Sequence, residues 1–390
     1  MGIRAHDPAV IDLAAEPGAL DARIAETPDR PAVFLIWPRE GAPYLGRTGV
    51  LRRRLRRLLG ERPGLSRWLN LRPVASRVEY WLAGSALETR LVFHEVARRH
   101  FPDTYLEVAK LRMPPYVKLL LANPFPRTQV TTRLTGGRAL YYGPFRNRAA
   151  AEQFEAETLE LFQVRRCQED LAPSPEHPGC IYGEMNKCMR PCQQAVTAEE
   201  YRAEAERAAA FLRTGGRSLI EPLEAARERF SEELRFEDAA REHARIEQIQ
   251  EALRLRDGLA ADIDRLCGVA VAPSAERGAV ELWFVLGGGW QPQVRFGFEA
   301  VEGKAIPMDH RLREIVAAIE PWRPGIQERQ EHLALLARWY YSSWRDGEWL
   351  PFPNLAGVPY RKLVNAISRV ASGEGQAARL ADGKERSSAH

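Results

Sequence analysis

Cys167, Cys180, Cys188 and Cys192 fall within 26 residues, and the only other cysteine of the 390-residue chain is Cys267. Their spacing is C-x12-C-x7-C-x3-C. Four soft thiolates on short loops suit a tetrahedral zinc ion or an iron–sulfur cluster, because each needs several deprotonated sulfurs gathered by backbone turns. Pro173, Pro175, Pro178 and Gly179 make the first connection a loop. Unligated thiols or two disulfides are the competing readings, and disulfides require an oxidising compartment. The opening residues, Met1-Gly-Ile-Arg-Ala-His-Asp, contain no apolar core of a signal peptide, which points to the cytoplasm.

The net charge of +4 is mild but uneven. Arg52, Arg53, Arg54, Arg56 and Arg57 occupy five of six consecutive positions. Such a patch fits phosphate binding that weakens steeply with salt; a solvated helix face is the plainer reading. No apolar stretch is long enough to cross a bilayer, and no small-molecule substrate is expected.

These residues need elements to hold them. Ala32–Trp37 is a continuous apolar run that reads as a buried strand, and Tyr44-Leu-Gly-Arg-Thr pairs with it as a hairpin. Leu51, Leu55, Leu58 and Leu59 recur at helical spacing among the arginines. A strand over 78–82 and a helix over 85–99 complete a small α/β domain at 30–110, after a lead-in over 1–29 with a short helix near 11–24. Residues 111–198 form a connecting region with two strands, a helix over 148–162 and the cysteines. From Ala198 the chain reads as helical to about Arg256, broken at Gly215-Gly216, with a helical hairpin around Arg235–Asp238. Leu223, Phe230, Leu234 and Phe236 mark its apolar stripe, which serves either internal packing or a partner. Residues 261–371 read as a second small α/β domain whose Gly287–Gly289 triplet is a hairpin tip, because it lacks the strand-to-helix setting of a phosphate loop. Residues 372–390 read as a disordered tail. The fold class is α+β multidomain.

The succession Tyr141-Tyr-Gly-Pro-Phe, Leu161-Phe-Gln-Val-Arg-Arg-Cys167, Cys180-Ile-Tyr, Cys188 and Arg190-Pro-Cys192 resembles the UvrC family, the incision subunit of bacterial nucleotide-excision repair. The resemblance runs over roughly residues 30–300. It implies a [4Fe-4S] cluster at the four cysteines, with zinc as the alternative. Leu223-Glu-Ala-Ala through Leu234-Arg-Phe-Glu-Asp is similar to the family's UVR motif, which implies a UvrB-like partner on Leu223, Phe230, Leu234 and Phe236. The family's RNase H-like nuclease and helix-hairpin-helix module have no counterpart in the roughly 90 residues after 300, so a second incision activity is not expected.

The N-terminal domain resembles a GIY-YIG nuclease, which hydrolyses a DNA phosphodiester with one divalent metal. On that resemblance Tyr44 activates or positions the attacking water, and Arg54 neutralises phosphate charge. Arg47 stands where the family has lysine, and Arg52, Arg53, Arg56 and Arg57 would hold DNA phosphates. Two positions depart: Gly-Ile-Tyr has become Ala32-Val-Phe34, and gapless alignment places Phe93 at the metal-binding glutamate. A phenyl ring cannot ligate Mg²⁺ or Mn²⁺. Glu95 projects about 200° and Glu88 about 140° away around the helix, and neighbouring His94 also points elsewhere. Two functions follow: a UvrC-like repair protein that incises DNA, or a non-catalytic DNA-binding scaffold that recruits a UvrB-like partner.

Overall fold

A strand made wholly of apolar residues must be covered on both faces. A computed structural model describes residues 6–13, 20–61, 69–298, 307–343 and 345–373, and it covers Ala32–Trp37 in this way. The N-terminal sheet comprises β1 (Ala9–Asp12), β2 (Ala32–Pro38), β3 (Tyr44–Thr48) and β4 (Ala75–Leu82), antiparallel in the order β1-β4-β2-β3. Ala32, Phe34 and Ile36 of β2 pack with α1 (Leu20–Glu26) and α2 (Leu51–Leu59) through Ile24, Leu51, Leu55 and Leu58. Val33 and Leu35 pack on α3 (Ala86–His100) through Val92 and Val96, and the short α4 (Tyr105–Ala109) follows. Gly46 faces Phe34 across the hairpin, where a Cβ would lie 2.4 Å from the Phe34 ring, so this strand position has room only for glycine.

The segment 1–29 is not a separate lead-in. Ala9–Asp12 pairs with Arg77–Tyr80, Ile11 is buried in the core, and the helix expected near 11–24 begins at Leu20. Four residues of alternation are too few to announce a strand; its pairing to β4 does.

The middle sheet, β6-β5-β7-β8, contains β5 (Tyr116–Leu119), β6 (Thr128–Thr131), β7 (Leu140–Gly143) and β8 (Ala261–Asp262). Its core is built with α5 (Arg148–Glu160), where the Tyr142 and Phe154 rings stack at 5.0 Å. The one-turn α6 (Ile181–Glu184) lies in the cysteine segment. The helix α7 (Ala198–Thr214) starts with a Thr197/Glu200 capping box and stops where Gly215 and Gly216 take φ of +60° and +95°. The hairpin is α8 (Arg217–Glu232) and α9 (Phe236–Arg254).

Beyond it lies a sheet of β9 (Gly268–Pro273), β10 (Ala279–Leu286), β11 (Gly289–Trp290), β12 (Val294–Gly297) and β13 (Glu348–Pro351). Positive φ at both Gly287 and Gly288 makes the expected two-residue hairpin tip. The sheet is packed by α10 (Met308–Ala317) and α12 (Tyr360–Ser372), while α11 (Ile326–Tyr340) belongs to the middle unit. The proposed domain at 261–371 is therefore interrupted: residues 261–266 and 324–341 group with 112–266, and the remainder groups with Met1–Leu111. The tail assigned to 372–390 lies, after residue 373, outside the described residues.

Within the first unit the N-terminus of α3 meets the C-terminal sheet. Gly84 abuts the Ser274 backbone so closely that any Cβ would collide with it. Glu88 is fully buried and accepts from the Gly84 amide at 2.7 Å. Gln293 Nε2 lies 3.4 Å from Glu88 and donates to buried Glu281 at 2.7 Å, while Arg295 Nε donates to Glu281 at 2.8 Å. Burial, aided by the neighbouring Glu281 charge, pushes the Glu88 carboxyl up to about 7. A raised carboxyl favours the proton in the folded state, so its stabilisation is complete below the unfolded value of about 4.5 and is lost as pH rises through 7. Urea unfolding between pH 5 and 8 should show stability falling over that window by a few kcal/mol at most, and Glu88→Gln should flatten the fall. An unchanged slope in the variant would remove Glu88 as its source.

Candidate functional site

The edge strand β3 carries two clusters, one on each face. On the α2 face, Arg54 Nη2 donates to the Tyr44 hydroxyl at 3.1 Å, and the Tyr44 and Phe34 ring centroids are 6.2 Å apart. The helix places Arg54 there because Leu51, Leu55, Leu58 and Leu59 bury the adjacent stripe and leave Arg54 half-buried on its flank. Arg54 Nε is buried without a partner, so the guanidinium retains hydrogen-bonding capacity beyond Tyr44. On the α3 face the Arg47 guanidinium lies over the Phe93 ring, 5.5 Å from its centroid.

A cavity of about 550 Å³ opens beside Arg47, lined also by Thr48, Ser85, Thr89, Arg90 and Asp346. Its one lining carboxylate, Asp346, accepts a hydrogen bond from the Ala86 amide at the start of α3. Glu95 pairs with Arg99 at 3.5 Å, Glu88 is engaged at the buried junction, and buried His94 stands edge-on to Tyr105. The sequence pointed to Arg90 and Asp346 not at all, because only the fold brings residue 346 to α3.

Of the arginine run, Arg53, Arg56 and Arg57 are exposed, while Arg52 is half-buried and its Nε donates to the Thr27 carbonyl at 2.8 Å. Arg52 is thus a brace between α1 and α2 through its Nε.

The cysteine segment is held by polar contacts rather than by regular structure. All five cysteines are free; Cys188 and Cys192 are buried, Cys167 is half-buried and Cys180 is exposed. Asn186, Arg190 and Gln194, four residues apart, take left-handed φ of 56°, 55° and 52°, each at a cost of roughly 1 kcal/mol or more. These reversals fold the chain back on itself. Burial pushes the Cys188 thiol up to about 11, a backbone amide from Arg190 opposes this, and Cys167, Cys180 and Cys192 raise it further. The four sulfurs are therefore within electrostatic reach of one another. Among the described residues no three His, Cys, Asp or Glu side chains are already disposed around one ion position. In donor chemistry the set nevertheless fits a metal–thiolate centre: four free thiols, amide N–H groups from Arg190 and Gln193 directed at Cys188 and Cys192, and Arg165 Nη1 at 3.4 Å from Cys167 Sγ.

In the hairpin, α8 buries no residue completely, and Ile246, Ile249 and Ala252 of α9 do. Leu223 packs partly on the middle core. Phe230 lies beneath the guanidiniums of Arg229 and Arg235, at 5.4 and 4.4 Å. Leu234 is not on the helical stripe; it takes φ +59° at the turn and is 73% exposed, beside Phe236 at 64%. The root of the hairpin packs and its tip presents bare apolar surface.

Residues 115–211, which run from β5 into α7 and include all four clustered cysteines, match the UvrC/Cho excinuclease middle domain. The chain is UvrC-like. It is similar to the UvrABC system protein C of Moorella thermoacetica, 26% identical over 69% of this chain and 44% of that protein. The proteins of the same name from Streptomyces avermitilis (26% identical, 77% of this chain, 45% of that one) and Acetivibrio thermocellus (24%, 82% and 52%) are similar too. The chain spans about half the length of the curated relatives it matches. No solved structure matches. Among the described residues no helix is long and apolar enough to cross a membrane.

Two variants test this geometry. Tyr44→Phe removes the acceptor of Arg54 Nη2 and should cost about 1–2 kcal/mol in urea unfolding. Leu234→Asp combined with Phe236→Asp should change stability by less than about 0.5 kcal/mol, because both side chains are already in water. A larger loss from the pair would show that the tip packs internally.

Proposed function

We propose that this chain is a UvrC-like DNA-binding protein of nucleotide-excision repair, working in the cytoplasm, whose N-terminal GIY-YIG-like site grips a phosphodiester without cutting it. One observation carries the choice: Phe93, aligned with the family's metal-binding glutamate, lies under the Arg47 guanidinium. A hard divalent ion takes oxygen ligands, and a phenyl ring supplies none. The residues at this position do not fit a Mg²⁺ or Mn²⁺ site, so no step is routed through one.

What remains suits phosphate binding. Tyr44 and Arg54 present a hydroxyl and a guanidinium in mutual contact, and exposed Arg53, Arg56 and Arg57 extend the positive face along α2. The hairpin tip at Leu234 and Phe236, with Phe230 behind it, takes an apolar helix face of a UvrB-like partner. Cys167, Cys180, Cys188 and Cys192 hold a [4Fe-4S] cluster, with zinc as the alternative; when bound, it ties the segment 163–194 together. The incision reading keeps support from the Tyr44–Arg54 contact, the pair an attacking water would need.

Fluorescence anisotropy with a damaged duplex between 50 and 200 mM salt separates the two. Binding should weaken with salt, and Arg53→Ala, Arg56→Ala and Arg57→Ala together should reduce the logarithmic slope by about 2–3. The same samples with Mg²⁺ or Mn²⁺ should show no strand cleavage. Cleavage abolished by Tyr44→Phe or Arg54→Ala would replace the scaffold reading with incision.

A further inference from the structure

Arg165 is among the largest fully buried side chains of the protein, 1% exposed. Its Nε donates to the Phe125 carbonyl at 2.9 Å. Nη1 serves three acceptors: the carbonyls of Glu169 at 2.7 Å and Cys167 at 3.2 Å, and Cys167 Sγ at 3.4 Å. Nη2 is buried and has no acceptor. No carboxylate is among these partners, so a full positive charge is buried against neutral carbonyls and one thiol.

A buried guanidinium without an anion is costly, by several kcal/mol, and proteins pair such charges. Two buried carboxylates elsewhere in this chain follow that rule. Buried Glu281 is met by Arg295, and buried Asp257 by Arg146 at 2.6 Å. At Arg165 the anion is missing from the described side chains, while the one non-carbonyl atom it touches is the sulfur of Cys167. Four thiolates around a dipositive ion, or around a [4Fe-4S] core of charge +2, leave a net charge of −2, which is the complement required.

We infer that Arg165 is the buried counter-cation of the thiolate centre formed by Cys167, Cys180, Cys188 and Cys192: a positioning residue that holds Cys167 and offsets the charge of the bound group. The inference rests on the reading that these cysteines bind a metal or cluster. Tyr201 braces the arrangement, since its hydroxyl accepts from the Arg165 amide at 2.9 Å and donates to the Pro126 carbonyl at 2.8 Å. The guanidinium is thus fixed from its own backbone as well as from two loops. A counter-cation acts through charge, whereas a purely structural hub acts through its hydrogen bonds to carbonyls, and the two can be told apart.

The experiment uses the full chain, purified without oxygen, as wild type, Arg165→Lys and Arg165→Met. Three quantities are read: metal and acid-labile sulfide per chain, the rate of metal release to a chelator, and, for an iron centre, the midpoint potential. Arg165→Met should release metal at least tenfold faster and, if the centre is a cluster, shift its potential to more negative values, because the reduced state loses a stabilising charge. Arg165→Lys, which keeps the charge but not the fork of donors, should recover most of both properties. Equal release rates and potentials in wild type and Arg165→Met would overturn the counter-cation role, as would a Lys variant as impaired as the Met variant. Wild-type protein holding neither iron nor zinc would overturn the metal-centre reading itself, and with it this inference. If Arg165→Met does not fold, the Lys variant decides alone: wild-type release and potential support the role, and release as fast as from unfolded chain opposes it.

Discussion

A stretch of more than thirty residues between α5 and α7 contains only one α-helical turn and one 3₁₀ turn, and such a stretch cannot order itself by backbone pairing. What orders it is a small group of buried polar anchors. Arg165 gathers carbonyls from residues 125, 167 and 169, and Tyr201 of α7 fixes the backbone of Arg165. Glu204, one helical turn on from Tyr201, accepts from the Gln163 amide at 2.8 Å, and Gln163 Nε2 reaches the Asn186 carbonyl at 2.8 Å. Apolar anchoring is concentrated at the start of the stretch, where Phe162 and Val164 are buried in the middle core, whereas Ile181, Tyr182 and Met185 point into solvent. The proposed thiolate centre would be a further staple, one that would offset the strain of the left-handed turns at Asn186, Arg190 and Gln194.

The other two candidate sites rest on regular elements and follow from ordinary packing. At the N-terminal site a leucine stripe fixes the rotation of α2, the rotation delivers Arg54 to Tyr44, and the edge position of β3 leaves that pair reachable. At the hairpin, burial is graded along its length. Ile246 and Ile249 anchor the middle of α9, and Leu234 and Phe236 at the tip are exposed. Edge strand and hairpin tip are both low in internal contacts, which is where binding surfaces are found.

Elements whose signals are local were legible in the sequence. The apolar run of β2, the leucine spacing of α2, the Gly215-Gly216 break after α7 and the glycines of the β10–β11 turn each state their own structure. Elements defined by distant partners were not. β1, β8 and β13 are two to four residues long and exist through pairing to β4, β7 and β9. Leu234 fits the helical stripe by spacing, yet α8 ends at Glu232 and the turn takes it out of the stripe. Arg52 reads as one more phosphate ligand until the fold puts the Thr27 carbonyl beside its Nε. Arg165 was visible only as part of the Leu161–Cys167 motif, two residues before the cysteine, since burial is what gives it its role.

Amide hydrogen exchange before and after metal removal tests most directly whether the proposed thiolate centre staples the segment 163–194. Chelation under reducing conditions should raise exchange throughout this segment, while the amides of β5, β6 and β7 keep their protection. Protection of the segment that is unchanged after the metal has been removed would contradict the account.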